Sequence, residues 1–340
     1  MNLDTIHHES LQQLLNQVRP RSELTLTPGF SLFPGNVVEI QGASGFGKTH
    51  LIYAAIINCI LPAMAGGWFK AAVLFDSDNS FDLNRFKSLL VSRLGHLSHT
   101  DPTSEVTQTL ADRSLELLHI FRPTSSNQLA SSILHLPTYH SAHLSHHEIG
   151  AIAIDSLSAF YWPDRFTVEQ LRSRSGDNTE KDAPNPLRRI LIALERLRVL
   201  YNPLILCSNW GLTFAQLYAP CSPSEVRYYK QHLHPSPSPF TNEGETLAHS
   251  DKGTLSVTHH ITLNVVPALQ TRKKSDPCNV TEDGSRLGSV QQHVAVGAVR
   301  IPGGSQVVSF DFTIEPDVLT FGAREQSEGS SRPIIVPPEL

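Results

Sequence analysis

Charge is what this sequence has least of. Only 17% of its 340 residues are Asp, Glu, Lys or Arg, against about 25% in ordinary soluble domains. Acidic side chains outnumber basic ones, 32 to 27, for a formal charge of −5. That balance excludes a protein holding nucleic acid through bulk positive charge. Cysteine is sparse too. Cys59, Cys207, Cys221 and Cys278 lie far apart with no C-x-x-C pair, which argues against a disulfide framework or a zinc ribbon. The most apolar stretch, Leu51 to Phe69, is broken by Pro62, Gly66 and Gly67. It therefore reads as a buried helix rather than a membrane span, and no membrane contact is expected. The opening residues, MNLDTIHHES, offer no apolar run of the signal-peptide kind, so an intracellular, reduced protein is expected.

What is present is enough apolar residue, 40% of the chain, to fill a sizeable core. Its distribution predicts alternating strands and helices. Strands are expected at Val37–Ile40, Ala71–Phe75, Leu115–Phe121, Ile149–Ile154 and Leu204–Cys207, each short, apolar and rich in branched residues. Between them, Lys48–Ile60, Phe81–Leu94, Asn127–Leu136 and Leu187–Leu200 carry helical apolar spacing or are apolar throughout. The pattern is that of an α/β fold with a mainly parallel central sheet. Leu255–Val266 and His293–Ile314, turning at Pro302-Gly303-Gly304, add C-terminal antiparallel strands. Residues 1–35 are expected to hold an N-terminal helix, on Leu11, Leu14, Leu15 and Val18, and a Pro/Gly linker. Residues 36–321 form the core, with flexible insertions at about 163–186, 211–253 and 271–288, and 322–340 a disordered tail.

One loop carries chemistry. Gly42-Ala43-Ser44-Gly45-Phe46-Gly47-Lys48-Thr49 fits G-x-x-x-x-G-K-[ST] between an expected strand and an expected helix. Glycines let successive backbone N–H groups turn onto phosphate oxygens, and the helix N-terminus faces the anion. Lys48 reaches the β- and γ-phosphates, and the Thr49 hydroxyl takes Mg²⁺. The partner carboxylate for the metal's water shell is Asp155, closing the apolar strand Gly150-Ala-Ile-Ala-Ile. Asp76 and Asp78 end the second strand. They can orient an attacking water, cap the next helix, or do both.

These stretches resemble the RecA-like recombinase superfamily, and within it the eukaryotic Rad-type recombinase paralogues. Besides the phosphate loop, the resemblance rests on Cys59-Ile-Leu-Pro62 with Gly66-Gly67, on Val73 to Asp78 with Phe81-Asp82 and Arg85, and on Asp155-Ser-Leu-Ser-Ala-Phe-Tyr-Trp162 with Asp164-Arg165. It covers roughly residues 34–210. It implies a RecA-like ATPase core, ATP and Mg²⁺ as cofactors, and a nuclear role in homologous-recombination repair of double-strand breaks. It also implies other Rad-type paralogues as partners in a hetero-oligomer that assists the recombinase filament on single-stranded or branched DNA.

Departures from the family pattern shape the expectation. Active members carry glutamate where Asp78 stands, one methylene longer, and a γ-phosphate-sensing glutamine where Trp210 follows Asn209. An indole N–H donates but cannot accept, so slow or absent hydrolysis by the isolated chain is expected. About 40 residues precede the loop, without an F-x-x-A linker motif, which argues for one subunit in a hetero-oligomer rather than a filament former. A non-hydrolysing structural subunit, a helicase and a small-molecule kinase are the alternatives.

The stretches that would face DNA, about 163–186 and 211–253, each hold more acidic than basic side chains. DNA contact mainly through partners follows. Tyr228-Tyr229, beside Arg227 and Lys230, could stack on bases or pack on their own domain. Arg188, Arg189, Arg196 and Arg198 make one helix basic. His140, His143, His146 and His147 have spacing that zinc could use, but a polar surface loop is the better reading. Thr271–Ser275 is a weak nuclear-import pattern.

Overall fold

The computed structural model describes residues 23–27, 30–98, 104–175, 186–213, 228–229, 255–265, 293–301 and 307–323. Its centre is a nine-stranded sheet among those residues. The strands are β3 (Val37–Gly42), β4 (Ala71–Asp76), β5 (Leu118–Phe121), β6 (Ile149–Asp155), β7 (Leu204–Trp210), β8 (His259–Val265), β9 (His293–Arg300), β10 (Val307–Ile314) and β11 (Leu319–Ala323). Across the sheet they lie in the order β11-β10-β9-β8-β3-β7-β6-β4-β5. From β8 to β5 all neighbours run parallel. The pairs β8/β9, β9/β10 and β10/β11 are antiparallel. The expected α/β architecture, parallel with antiparallel closure, is what the chain adopts.

Parallel strands need both faces covered, and the helices supply that cover. Apolar side chains of α1 (Lys48–Ile60), α2 (Leu83–Ser98) and α3 (Glu105–Leu115) share one buried cluster with Ala151 and Ala153 of β6. The alternate residues Ile152 and Ile154 join α4 (Ser126–His143) and α6 (Pro186–Tyr201) in a second. The period-two alternation of β6 thus serves two cores at once. In α1, eight residues from Leu51 to Ile60 are buried, as its all-round apolarity predicts.

Several boundaries differ from the sequence reading. Residues 30–32 of the expected linker form β2, which pairs with β1 (Leu24–Thr27) in a small hairpin and buries Phe30 and Leu32. The third strand starts at Leu118 because Glu105–Leu115 is helical, capped by a Ser104 side chain that accepts from the Thr107 N–H. The insertion expected from 163 is helical up to its midpoint, as α5 (Tyr161–Ser175). The second helix starts after Asp82, whose carboxylate accepts from the Asn84 and Arg85 N–H groups. Its cap is therefore Asp82, not Asp78. β11 continues two residues past the expected end of the core. The helix on Leu11–Val18, the Pro302-Gly303-Gly304 turn, Thr271–Ser275 and most of 211–253 lie outside the described residues.

The antiparallel closure depends on one close approach. Gly297 pairs with Phe310, and a Cβ at Gly297 would lie 2.1 Å from the Phe310 ring, which is fully buried. Overpacking of this kind costs about 1–3 kcal/mol. Gly297→Ala should lower the urea midpoint accordingly, and Gly322→Ala, whose nearest neighbour would be 3.9 Å away, should shift it far less.

Candidate nucleotide-binding site

Four strands deliver the site. The C-terminal ends of β3, β4, β6 and β7 carry Gly42, Asp76, Asp155 and Trp210, at the edge of the parallel sheet where ligands bind in such folds. The loop from Ala43 to Gly47 leaves β3 and enters α1 directly. Gly45 and Gly47 have φ of 79° and 86°, left-handed backbone that glycine adopts without cost. A side chain at Gly47 would also strike Ile314 at 2.8 Å. No side chain caps α1 and no acidic residue sits in its first turn, so the helix N-terminus keeps donors directed at the loop.

Each of the residues expected from the sequence takes a defined place. Lys48 Nζ donates to the carbonyls of Gly42 and Ala43, both at 2.9 Å. Burial lowers its pKa, against the pull of Asp155 and Asp78. Thr49 Oγ1 donates to Asp155 Oδ2 at 2.6 Å, joining α1 to β6 across 106 residues of sequence. Burial pushes the Asp155 carboxyl up, while hydrogen bonds from Ser208 and Thr49 hold it down. Asp78 is exposed and accepts from Ser156 Oγ at 3.0 Å. Ser44 and Gly45 are exposed, and Phe46 packs partly into the core. The loop, Lys48, Thr49, Asp78 and Asp155 therefore share one neighbourhood.

The donor set suits a metal–polyphosphate. It combines turned-in glycine backbone, an uncapped helix end, an ammonium, and a hydroxyl beside a carboxylate. Gly42 to Lys48 could hold phosphate oxygens, and Thr49 with Asp155 could hold Mg²⁺.

Sequence reasoning overlooked Ser208, Arg122 and a buried polar chain, and left the role of Asp76 open between two readings. Ser208 donates to Asp155 Oδ1 from β7. Asp76, with 1% exposure, accepts from the N–H groups of Ser80 and Phe81 and from Arg122 Nε at 3.2 Å. It fixes the turn after β4 rather than facing a water. Beneath the loop lies a buried polar chain. Trp210 N–H donates to Ser158 Oγ (3.0 Å), whose hydroxyl faces Asn209 Oδ1 (3.3 Å), and Asn209 Nδ2 donates to Glu39 Oε1 (2.6 Å). Glu39 Oε2 lies 3.0 Å from His260 Nδ1, and His260 Nε2 is 3.1 Å from Thr262 Oγ1. Only alternation hints at it: Glu39 and Gln41 share a face of an otherwise apolar strand.

Expectations elsewhere meet mixed outcomes. Arg165 donates to Glu169 and Tyr161, and Arg198 makes a bidentate pair with Glu195. Arg188, Arg189 and Arg196 are exposed. His140 and His143 belong to α4 rather than to a surface loop. His140 Nε2 is 2.8 Å from the His147 carbonyl, and the His143 ring packs tilted against Tyr139, centroids 4.6 Å apart. Among the described residues no group of three potential metal ligands is assembled, and no helix is long and apolar enough to cross a membrane.

The same corner generates a pH dependence. Burial, reinforced by the charges of His143 and His147, lowers the His119 pKa. The unfolded chain therefore takes up this proton first, and stability falls as pH drops through about 6.5, the unfolded value. The urea midpoint should decline from pH 7.5 to 5.5, and His119→Gln should flatten that slope.

The chain is similar in sequence to DNA repair proteins. It is 30% identical over 210 residues to the DNA repair protein XRCC2 of Mus musculus, covering 60% of this chain and 68% of the relative. It is 27% identical over 244 residues to the DNA repair protein XRCC2 homolog of Arabidopsis thaliana, covering 62% and 64%. The DNA repair protein RAD51 homolog 3 of Dictyostelium discoideum matches at 23% over 218 residues, 59% of this chain and 55% of that one. No protein-family model matches. With a RecA-like parallel core and this level of identity to the mouse protein, the chain belongs to the RecA/Rad family of DNA-repair recombinase paralogues.

Proposed function

We propose that the chain binds ATP with Mg²⁺ on Gly42–Thr49 and acts in the nucleus, in double-strand-break repair by homologous recombination. It does so as a subunit of a hetero-oligomer of Rad-type recombinase paralogues that assists the recombinase filament. Single-stranded or branched DNA is met mainly through those partners. One observation carries the nucleotide reading: Thr49 and Asp155 meet at 2.6 Å beside an uncapped helix N-terminus and the Lys48 ammonium. The relatives' names carry the repair reading.

In this reading Lys48 holds the β- and γ-phosphate oxygens while Thr49 and, through water, Asp155 hold the metal. Bound Mg²⁺ supplies charge neutralisation on the phosphate oxygens. Asp78 would orient water in this reading, but it is one methylene shorter than glutamate and already bonded to Ser156. Trp210 commits its backbone N–H to Ser158 and offers no side-chain acceptor. Both features support slow hydrolysis by the chain alone. The paired cations of α5 and α6 support partner-mediated rather than autonomous DNA contact.

A fluorescent ATP analogue titrated with Mg²⁺ tests the site. Charge-assisted hydrogen bonds contribute about 1.5–3 kcal/mol each, so Lys48→Ala should weaken binding roughly ten- to a hundredfold. Unchanged affinity in Lys48→Ala would remove the nucleotide assignment. Rapid, DNA-stimulated turnover by the wild-type chain would overturn slow hydrolysis. Affinity purification from nuclear extract should recover Rad-type paralogues, and their absence would overturn the partner assignment.

A further inference from the structure

Tyr228 and Tyr229 each pack against a residue next to the buried polar chain: Arg300, opposite His260, and Gly211, which follows Trp210. Tyr229 is 6% exposed. Its ring occupies the space above Gly211, where a Cβ would come within 2.6 Å of Cδ1 and Cε1. Gly211 N–H in turn donates to the Gly42 carbonyl at 2.8 Å. That carbonyl is one of the two that receive Lys48 Nζ. The other belongs to Ala43. Burial raises the Tyr229 pKa, and the Ala43 backbone draws it partly back. Tyr229 therefore packs on the residue that hydrogen-bonds the last residue of β3, where the phosphate loop begins.

Tyr228 faces the other way. The Arg300 guanidinium sits 3.8 Å from its ring centroid, close enough for a strong cation–π contact. Arg300 is opposite His260 in the β8/β9 register, and both Tyr228 and Glu39 act electrostatically on it against the cost of its burial. Glu39 lies two residues before Gln41 on the strand that ends at Gly42. Tyr229 thus braces β3 at its phosphate-loop end, while Tyr228 packs on an arginine of β9 that the buried Glu39 carboxylate attracts.

Resting on the nucleotide reading of this site, we propose that Tyr229 is a positioning residue for nucleotide binding. By packing on Gly211 it holds the Gly42 carbonyl, and so Lys48, where phosphate oxygens are met. Tyr228 clamps the pair in place through Arg300. A flat ring suits the task because Gly211 leaves only a slot without a Cβ. The phenol oxygen is secondary to the ring.

A double-mutant cycle on the full chain, read by titration of a fluorescent ATP analogue with Mg²⁺ well below the melting temperature, tests this. Tyr229→Ala should weaken binding about tenfold, a loss of about 1.4 kcal/mol, and Tyr229→Phe should bind within twofold of wild type. Gly211→Ala should weaken wild type similarly yet add little in the Tyr229→Ala background, since coupled sites are non-additive. A merely structural tyrosine would lower the melting temperature, leave affinity intact and give additive effects. That outcome overturns the proposal. If Tyr229→Ala does not fold, Tyr229→Leu replaces it in the cycle. Failure of the wild type itself to bind the analogue would overturn the nucleotide reading, whereas tight wild-type binding with an unaffected Tyr229→Ala would overturn the positioning role alone.

Discussion

The arrangement turns on the buried carboxylate of Asp155. Its two oxygens take hydroxyl protons from Thr49 on α1 and Ser208 on β7. Its main-chain carbonyl takes the N–H groups of Ser77 and Asp78, at 2.8 and 3.1 Å, from the turn after β4. Four elements are thereby referenced to one residue. Removing the charge from water is costly, and these donors offset it. An acid at the end of a buried strand is tolerated only where such donors converge, and their convergence also assembles the loop, its ammonium and the Asp78 carboxylate.

The local signals of the fold were legible wherever period and chemistry agreed. The α1 boundaries follow from the glycine loop before Lys48 and from Pro62 after Leu61, and β6 from an unbroken apolar run ending in Asp155. α3 was not legible, because Glu105-Val-Thr-Gln-Thr-Leu mixes β-branched with polar residues and its cap, Ser104, is one serine among several. α5 was hidden for a related reason. Trp162 and Phe166 are exposed, at 55% and 60%, so its aromatic residues mark no buried face. The phosphate loop could be read because its residues are consecutive. Ser208 and Arg122 could not, because each reaches the site from a distant stretch of chain and does so with a common side chain, whereas Tyr229 packs on its own domain, one of the two readings its sequence allowed.

The low charge noted in the sequence has a structural counterpart. Two cations that an autonomous DNA-binding surface would present are spent within their own helices: Arg165 on Glu169 and Tyr161, Arg198 on Glu195. Exposed pairs of this kind add little stability, but they reduce the charge available to a phosphate backbone. The family's core is retained while the electrostatic surface is muted.

Strand β3 is flanked by neighbours that come late in the chain. Glu39 meets Asn209 across 170 residues and His260 across 221. At ribosomal rates of 5–20 residues per second, the second partner emerges roughly 10 to 40 s after Glu39. Until then an acidic side chain destined for the interior has water as its only partner on that side, and the glycine loop hangs from a half-paired strand. The candidate site is therefore encoded early and completed late, so a nascent chain can complete the setting of β3 only after six of the nine strands have been synthesised.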